Sequence, residues 1–351
     1  MQLASRFGLK AISIGTIGVH CSHGELSSEH RTTTPSSLEL HKIISKNSPD
    51  VIFVEVSSHA LNQKRLGSIV FDAVGWTNFS QDHLDYHQTM NEYFKAKAKI
   101  INYLSTNGSL FVPEDEGALV ERLISESICF EKANPIESGD SFALTLDFNK
   151  KNVGLAISLI KSIYPGFYVE KGVLEKIETP PGRFDVIKVG GQSLAIVDYA
   201  HTPDAVEKII LGVRESFYKK YIIALIGCGG NRDRSKRVVM GKTVCKNADF
   251  AIFTSDNPRD EDPLKIIDDM VGKLKFSNFI IKENREEAIR FGINCIENKE
   301  LPGNDKVKNG AVFLILGKGH ESFQEVSGEK LPFSDKKVLG KLLREKRNVN
   351  S

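Results

Sequence analysis

The feature of this sequence that most constrains its fold is the regular alternation of short apolar runs with segments of helical periodicity. The apolar runs are rich in Val, Ile and Phe, which predicts strands buried on both faces of a parallel sheet. Because helical patterns follow strands in both halves of the chain, we predict an α/β fold. The predicted strands are residues 11–16, 51–56, 71–76, 193–197, 221–226, 250–253 and 311–316. The predicted helices are residues 37–46, 90–104, 153–163, 203–216, 263–274 and 286–297.

Chain length and one proline-rich junction indicate two domains. A chain of 351 residues holds two or three domains of about 100–200 residues each. A polar stretch at 170–178 leads into Thr179, two prolines and Gly182, which is typical of a linker. We therefore expect one domain over residues 1–178 and a second over residues 179–351. The charged residues 341–351 are expected to fray.

Composition disfavours several classes of protein. The chain carries 47 Lys and Arg against 45 Asp and Glu, so a nucleic-acid-coating protein is not expected. No apolar run reaches the roughly 18 residues of a membrane span, so membrane insertion is not expected either. The five cysteines are widely spaced and form no CxxC pair, which disfavours a disulfide scaffold or structural zinc site and indicates a cytoplasmic protein.

Polar clusters follow the predicted strands, where ligands bind in open α/β sheets. The segment at 55–59 could hold a divalent cation and an anionic substrate, although a serine there could instead cap a short helix. The segment at 82–87 places two acids and two histidines close together, which indicates either metal ligands or a polar surface loop. The lysines at 95, 97 and 99 alone indicate a solvated helix face.

Four further clusters follow strands of the second half. Thr202 is a predicted N-cap with Pro203 at the first helical position, which leaves Asp198 and His201 without a structural role. Glycines at 227–230 precede three arginines and a lysine, which is typical of an anion-binding turn, although the chain has no Walker A motif. Residues 255–259 and 317–321, with Arg232, offer cations for a carboxylate and acids for an ammonium group, as an amino-acid ligand requires.

The succession of these segments resembles the Mur ligases of peptidoglycan synthesis. The matching segments, within about residues 14–334, are TTPSSLEL, EVSSHAL, TNFSQDHLDYH, YFKAKAK, DYAHTPDA, GCGGNRDRSKR, TSDNPR and GKGHE. The resemblance implies an α/β fold with that family's central domain, a mostly parallel sheet with helices, followed by a Rossmann-like C-terminal domain. It is greatest to the branch that adds meso-diaminopimelate, because the DNPR form at 256–259 resembles that branch.

The resemblance implies an ATP-dependent amide ligase that uses Mg²⁺. ATP phosphorylates the terminal carboxylate of UDP-N-acetylmuramoyl-L-alanyl-D-glutamate, and the amine of diaminopimelate attacks the acyl phosphate. A tetrahedral intermediate then collapses to the amide, ADP and phosphate. Phosphorylation is needed because a carboxylate is a poor electrophile, and magnesium offsets the crowded negative charge.

The resemblance also implies roles for individual residues. The implied magnesium ligands and catalytic residues are Glu55, His83 and Lys97, the lysine being carboxylated by CO2. The implied contacts to the UDP-sugar peptide are Thr33, Thr34, Ser57, Gln63 and Arg65. The implied contacts to the nucleotide are Asn149, Asn152, Arg183, Asp198 and His201. The implied contacts to diaminopimelate are Arg232, Asp256, Asn257, Pro258, Arg259, Gly317 and Glu321.

Among these residues Arg259 is expected to discriminate between amino acids. Its guanidinium suits the second carboxylate of diaminopimelate, which lysine lacks. Lysine in the same pocket would leave a buried cation unpaired, which is a penalty against the wrong substrate.

The sequence departs from the family pattern at its start. The uridine-binding domain and the P-loop that would precede residue 11 are not in this sequence, and the region 106–148 is shorter than the resemblance implies. Because the P-loop cradles the β- and γ-phosphates, we expect little or no ligase activity from this chain alone. The alternative is a non-catalytic amino-acid-binding subunit, or the partner of a separate N-terminal fragment, which would bind the amino acid without ATP turnover.

Overall fold

The protein consists of two compact units in the computed structural model, which describes residues 1–22, 24–27, 32–137, 141–170, 172–297 and 309–349. The first unit comprises Met1–Ser80 and Tyr86–Glu178, and the second comprises Gln81–Asp85 and Thr179–Ser351. The short segment Gln81–Asp85 thus belongs to the second unit, although it lies inside the predicted first domain.

The first unit contains two small sheets. Its strands are β1 (Ala11–Gly15), β2 (Gly18–Cys21), β3 (Gly24–Ser27), β4 (Val51–Val54), β5 (Phe71–Gly75), β6 (Leu104–Pro113) and β7 (Glu131–Ala133). One sheet has the order β3-β2-β1-β4, with β1 parallel to β4 and antiparallel to β2. The other has the order β5-β6-β7 and is parallel. The predicted strands β1, β4 and β5 are confirmed, whereas β2 and β3 carry too many glycines and polar residues to show an apolar run.

Most helices along this part of the chain begin at a polar cap or an acidic residue, although α1 follows Met1 without a side-chain cap. They are α1 (Gln2–Arg6), α2 (Ser37–Asn47), α3 (Ser58–Asn62), α4 (Leu84–His87), α5 (Met90–Ala98), α6 (Gly117–Ser125) and α7 (Asp147–Ile163). Ser36 and Glu39 form a capping box at the start of α2. The predicted helix 90–104 is too long, because two isoleucines of low helix propensity follow α5 and form a 3₁₀ turn before β6. Helix α7 begins six residues earlier than predicted, with Asp147 in its first turn.

The second unit is built on one six-stranded sheet and a separate hairpin. Its strands are β8 (Asp185–Gly190), β9 (Ser193–Asp198), β10 (Tyr221–Ile226), β11 (Phe250–Phe253), β12 (Phe279–Ile281), β13 (Ala311–Leu316), β14 (Phe323–Val326) and β15 (Glu329–Pro332). The sheet order is β12-β11-β10-β13-β9-β8, and its strands are parallel except β8, which is antiparallel to β9. Every residue of β10, β11 and β13 is buried, which confirms the interpretation of their continuous apolar runs. The loops after β10, β11 and β13 therefore lie together at the carboxyl ends of the parallel strands.

Among the helices of the second unit, α9 was not predicted, and α12 covers a segment that was expected to fray. They are α8 (Pro203–Ser216), α9 (Ser235–Asn247), α10 (Pro263–Val271), α11 (Arg285–Glu297) and α12 (Asp335–Val349). Thr202 caps α8 as predicted, since its Oγ1 accepts from the N–H of Ala205 at 3.3 Å. Fraying was expected at 341–351, but α12 continues to Val349 and Leu342 within that segment is fully buried; residues 350–351 lie outside the described residues. No helix in the described ranges has the length and apolarity to cross a membrane.

Candidate functional site

Glu55 lies directly after β4, where its carboxylate is held against the end of β1. Its Oε2 accepts a hydrogen bond of 2.8 Å from the N–H of Thr16, and its own N–H donates to the carbonyl oxygen of Ile14. A Cβ on Gly15 would lie 2.6 Å from the same Oε2, so the carboxylate fits there because position 15 has no side chain. The parallel pairing of β1 with β4 thus fixes one oxygen of the predicted metal ligand.

Thr34 connects Glu55 to residues predicted to contact the UDP-sugar peptide. Its buried Oγ1 donates to the carbonyl oxygen of Glu55 at 2.9 Å and accepts from the N–H of Ser57 at 3.0 Å. Its carbonyl oxygen accepts from Nη1 of Arg65 at 3.4 Å. One buried hydroxyl therefore ties the strand end to the turn that follows it.

Thr33 and Gln63 complete this hydrogen-bonded region of the first unit. Oγ1 of Thr16 donates to Oγ1 of Thr33 at 3.0 Å, and Nε of Arg65 donates to Oε1 of Gln63 at 2.8 Å. Hydroxyls beside an arginine suit an anionic ligand that also carries sugar hydroxyls. The structure thus brings the predicted UDP-peptide contacts together, while their role as ligand contacts remains a prediction.

Ser57 has the structural role that the sequence left open. Its Oγ accepts from the N–H of Ala60 at 3.2 Å, which makes it the N-cap of α3. The same residue donates its backbone N–H to Thr34. Since the cap uses the side chain of Ser57, any ligand contact by that hydroxyl has to share it with the helix.

Lys97 differs from the lysines on either side of it. Its Nζ lies 5.5 Å from the centre of the Trp76 ring and 5.6 Å from the centre of the Tyr93 ring. Its side chain is half-buried, whereas Lys95 and Lys99 are exposed. The interpretation of this segment as a uniformly solvated face therefore fails at Lys97.

The predicted magnesium ligands are distributed between the two units. Glu55 and Lys97 belong to the first unit, and His83 belongs to the second. No group of three His, Cys, Asp or Glu side chains that could hold a metal ion occurs in the described part of the chain. The predicted set has only two such residues, with a lysine carbamate as its third member, so its role remains a prediction.

The predicted adenine contacts Asn149 and Asn152 lie in the first turns of α7. Nδ2 of Asn149 donates to the carbonyl oxygen of Ala143 at 2.6 Å, which fixes the segment before the helix. Asn152 is exposed. Asn149 thus has a structural role in addition to the one implied by its motif.

Asp82 gathers three basic side chains within the second unit. Its Oδ2 lies 3.4 Å from Nε2 of His201 and 3.5 Å from Nε2 of His83, and its Oδ1 lies 3.7 Å from Nζ of Lys236. Burial alone would raise the pKa of Asp82, but the hydrogen bond from His201 and the neighbouring charges outweigh burial and hold that pKa well below its usual range. His83 and His201 therefore meet at one ionised carboxylate.

Asp198 has a structural role, contrary to the sequence interpretation. Its Oδ2 accepts from the N–H of Phe184 and its Oδ1 from the N–H of Ala200, both at 2.7 Å. Burial raises the pKa of Asp198 in spite of these two hydrogen bonds. The side chain thus ties the end of β9 to the turn before β8.

Arg183 and Tyr199 form a stacked pair beside the loop after β13. The guanidinium carbon of Arg183 lies 4.6 Å from the ring centre of Tyr199, whose pKa is raised to about 12 by burial and then by the charge of Glu321. Gly182 has a φ of 67°, and a Cβ there would lie 2.1 Å from the backbone nitrogen of His320. Glycine is therefore required for the close approach of these two loops.

The glycine-rich turn after β10 is anchored by Arg237. This side chain is 1% exposed and donates to both carboxylate oxygens of Glu261, at 2.9 and 3.0 Å, and to the carbonyl oxygen of Gly229 at 3.3 Å. Arg232, a predicted diaminopimelate contact, is half-exposed and pairs with Asp85 at 3.5 Å. Arg237 therefore holds the turn, with Arg234 pairing to the same Glu261 at 2.8 Å, whereas Arg232 has Asp85 of its own unit as partner.

The stabilisation that Glu261 gives the second unit is expected to be lost in acid. The hydrogen bond from Arg237 lowers the pKa of Glu261 to about 2, from an ordinary value of 4.5. Because the folded-state pKa is depressed, this stabilisation is present above about pH 4.5 and is lost as the pH falls towards 2. The free energy of unfolding in urea should therefore fall more steeply over this range in the wild type than in Glu261→Gln. The exposed Glu287→Gln is the control; a wild-type slope equal to that of Glu261→Gln contradicts the assignment.

Lys318, Asn257 and Glu321 form a closed triangle between the loops after β11 and β13. The fully buried Nζ of Lys318 donates to Oδ1 of Asn257 at 2.9 Å and to Oε2 of Glu321 at 2.7 Å. Nδ2 of Asn257 donates to the same Oε2 at 2.9 Å. Two predicted diaminopimelate contacts are thus oriented by a lysine that the sequence reading did not assign.

Arg259 is held by partners on two sides. Its Nε lies 3.0 Å from Oε2 of Glu325, and its Nη1 donates to the carbonyl oxygen of Gly230 at 2.8 Å. The side chain is 21% exposed. The expectation that lysine would leave a buried, unpaired cation is therefore wrong, because Glu325 already neutralises Arg259.

The remaining predicted contacts shape the backbone of the pocket. Asp256 is buried, and its Oδ1 accepts from the N–H of Asn257 at 2.7 Å. Gly317 has a φ of 108°, and a Cβ there would lie 2.8 Å from Oδ2 of Asp256. A Cβ on Gly230 would lie 1.9 Å from the carbonyl oxygen of Pro258, so the loops after β10 and β11 are in close contact.

The sequence analysis included Lys318 in a cluster but assigned it no role of its own, and it missed Glu325. Lys318 stands in the GKGHE segment, and its position between two glycines in a loop after a buried strand could have marked it. Glu325 lies in β14, whose sequence gave no apolar run and no motif. Its contact with Arg259 depends on tertiary structure alone.

Comparison with known proteins shows which protein family this chain resembles. The Mur ligase middle domain matches residues 2–168, and the Mur ligase, glutamate ligase domain matches residues 182–319. The UDP-N-acetylmuramoyl-L-alanyl-D-glutamate–2,6-diaminopimelate ligase of Lawsonia intracellularis is 37% identical, over 90% of this chain and 70% of the relative. The protein of the same name from Syntrophomonas wolfei is 35% identical, over 97% of this chain and 73% of the relative.

Solved structures share the fold. A UDP-N-acetylmuramoyl-L-alanyl-D-glutamate–2,6-diaminopimelate ligase has a TM-score of 0.56 at 27% identity, over 99% of this chain and 75% of that chain. MurF ligase from Thermotoga maritima in complex with ADP has a TM-score of 0.63 at 13% identity, over 100% and 76% of the two chains. Folylpolyglutamate synthase of Mycobacterium tuberculosis, complexed with ADP and AMPPCP, has a TM-score of 0.68 at 13% identity, over 90% and 84%. The last two show the fold alone.

Proposed function

Because this chain belongs to the Mur ligase family, we propose that it joins meso-diaminopimelate to UDP-N-acetylmuramoyl-L-alanyl-D-glutamate with the breakdown of ATP to ADP and phosphate. The choice of amino acid rests on two features of the loops after β11 and β13. One is the guanidinium of Arg259, and the other is the triangle of Asn257, Lys318 and Glu321. A guanidinium suits a carboxylate, and the oxygens of Glu321 and Asn257 suit an ammonium group. Diaminopimelate has both groups at its distal end.

The proposed reaction begins at the terminal carboxylate of the UDP-sugar peptide. A carboxylate oxygen attacks the γ-phosphorus of ATP, ADP leaves, and an acyl phosphate remains. The amine nitrogen of diaminopimelate then attacks the carbonyl carbon and loses a proton, and the C–O bond to phosphate breaks as the amide forms. In this scheme the side chains of Thr33, Thr34, Ser57, Gln63 and Arg65 bind and orient the UDP-sugar peptide.

The donor set in the first unit fits a magnesium ion only if Lys97 is carboxylated. Mg²⁺ prefers oxygen ligands, and the lysine nitrogen offers none until a carbamate forms on it. The carboxylate of Glu55 has Oε2 fixed by Thr16, so it presents an oriented oxygen ligand. We assign Mg²⁺ to Glu55 and the carbamate of Lys97, where it would neutralise the negative charge of ATP and the substrate carboxylate. The role of His83 as a further ligand stays a prediction.

The remaining assignments concern the nucleotide and the compartment. We assign Arg183, Asp198 and His201 of the second unit to ATP, and the role of Asn149 and Asn152 as adenine contacts stays a prediction. Stacking of Arg183 on Tyr199 holds its guanidinium in a defined orientation, as a phosphate contact requires. None of the five cysteines forms a disulfide, which supports a reducing cytoplasm as the place of the reaction.

Arg259→Ala is expected to weaken the binding of diaminopimelate by about 1–3 kcal/mol, because a charged hydrogen bond is lost. Calorimetric titration of the chain with meso-diaminopimelate and with lysine measures the effect, with the exposed Arg344→Ala as a matched control. Lysine binding should change little. Unchanged diaminopimelate affinity contradicts the placement of Arg259, and a wild-type chain that prefers lysine contradicts the proposed substrate.

Measuring phosphate release with ATP, Mg²⁺, the UDP-sugar peptide and diaminopimelate distinguishes the ligase from the alternative of a non-catalytic amino-acid-binding subunit. Release that requires all the substrates supports the ligase and contradicts the expectation of little or no activity from this chain alone. Diaminopimelate binding without any phosphate release favours the amino-acid-binding subunit.

A further inference from the structure

We propose that Glu325 is a specificity-determining residue, which weakens the attraction of Arg259 for the distal carboxylate of the amino acid. The proposal rests on the proposed function, since it concerns the same pocket. The proposal goes beyond the proposed function because Glu325 belongs to the hairpin β14–β15, which none of the motifs includes.

The hairpin is fastened along the loop that carries Arg259. The N–H of Arg259 donates to the carbonyl oxygen of Glu325 at 3.0 Å, and the N–H of Ser327 donates to the carbonyl oxygen of Arg259 at 2.7 Å. The N–H of Glu325 also donates to Oδ1 of Asn257 at 2.9 Å. Because the backbone is anchored on both sides, the carboxylate of Glu325 is placed by the fold.

The backbone of Arg259 is itself held in an uncommon conformation. Its φ is 52°, in the left-handed region that an arginine rarely adopts. The two backbone hydrogen bonds to the hairpin stabilise this conformation, and Val326 forms a bridge with Arg259. The hairpin therefore sets both the backbone and the guanidinium of this residue.

The guanidinium presents one free nitrogen to a ligand. Glu325 engages Nε and the carbonyl oxygen of Gly230 engages Nη1, whereas Nη2 has no hydrogen-bond partner within the described residues. A carboxylate of the ligand can reach Nη2 and the second hydrogen of Nη1, but the side through Nε is occupied. A ligand carboxylate therefore binds through Nη2 and shares the guanidinium with the carboxylate of Glu325.

The charge of Glu325 acts against that second carboxylate. Two carboxylates on one guanidinium repel each other, and the cation is already partly neutralised before the ligand arrives. Glu325 is 29% exposed, so water screens part of this repulsion. A ligand without a distal carboxylate, such as lysine, does not experience it. Glu325 thus reduces the preference for diaminopimelate over lysine.

Glu325→Gln tests the proposal, since it removes the charge and retains an oxygen that accepts from Nε. We expect the dissociation constant for meso-diaminopimelate to fall about fivefold, as for a partly screened charge interaction. The constant for lysine should change less than about twofold by the same estimate. Both are measured by calorimetry on the full chain. Glu329→Gln removes a charge from an exposed position of the same hairpin and should change neither constant.

A gain in affinity cannot come from damage to the fold, so the direction of the change is decisive. Unchanged or weaker diaminopimelate binding in Glu325→Gln overturns the proposal. If the wild type does not bind diaminopimelate, the proposed function fails, and the geometry is then tested by NMR on 15N-arginine-labelled protein. The Nε–H signal of Arg259, identified by its loss in Arg259→Lys, should exchange with water at least about tenfold faster in Glu325→Ala, because its hydrogen bond is lost. Equal exchange rates overturn the proposal without any ligand.

Discussion

Replacing Arg285 with methionine is expected to lower the free energy of unfolding of the second unit by about 3–5 kcal/mol. The side chains of Arg285 and Asp335 are both fully buried and pair through two hydrogen bonds of 2.7 and 2.8 Å. Asp335 raises the pKa of Arg285 although burial alone would lower it, so the guanidinium is charged at every working pH. Methionine leaves the carboxylate buried without a counter-ion, and amide hydrogen exchange in β11 and β13 measures the loss.

Two variants separate the buried charge from the loss of packing. Arg290→Met lies on the same helix and removes exposed ion pairs to Glu286 and Glu345, so its cost should stay below about 1 kcal/mol. Arg285→Met combined with Asp335→Leu removes both buried charges and should recover part of the stability. The explanation fails if Arg285→Met is no more costly than Arg290→Met.

Replacing Lys318 with methionine is expected to weaken the binding of diaminopimelate by about 100-fold, or roughly 3 kcal/mol, as when one member of a buried pair is removed. The ammonium group is the common donor to Asn257 and Glu321, and without it those side chains lose their shared orientation. The ligand ammonium would then meet acceptors that are no longer aligned. Calorimetric titration measures the affinity, and thermal unfolding establishes that the variant is folded.

Lys330→Met is the matched control for this change. Both lysines lie over the ring of Phe323, Lys330 at 4.3 Å and Lys318 at 6.0 Å from its centre. Lys330 is exposed and lies outside the triangle, so its loss should change the affinity by less than about fivefold. Equal effects of the two variants would show that the triangle does not orient the ligand contacts.

The inner strands of the sheet in the second unit were predictable because they are buried, whereas the partly exposed strands β8 and β12 at its two edges were not predicted. Strands β10, β11 and β13 consist of apolar residues, and a continuous apolar run indicates a strand that is buried on both faces. Helix α12 escaped prediction for the opposite reason. Its charged residues dominate the composition, and only Leu339 and Leu342 show that one face is fully buried.

Partner choice within the site was not predictable from sequence. Asp198 stands in a motif, yet its two hydrogen bonds go to backbone groups of Phe184 and Ala200, which any residue could supply. Arg259 was identified as a cation, but its neutralisation by Glu325 depends on a hairpin packed beside the loop. Residue types thus indicate the chemistry of a pocket, while the tertiary fold decides which charges reach the ligand.

The buried guanidinium of Arg285 also touches the two loops of the amino-acid pocket at their roots. It donates to the carbonyl oxygen of Leu316 at 2.8 Å and to that of Ser255 at 3.4 Å, while its counter-ion Asp335 opens α12. The ribosome makes both loops before it makes Asp335, so the guanidinium lacks its carboxylate until α12 has emerged. The buried ion pair that holds both loops can therefore form in a nascent chain only after α12 has been made.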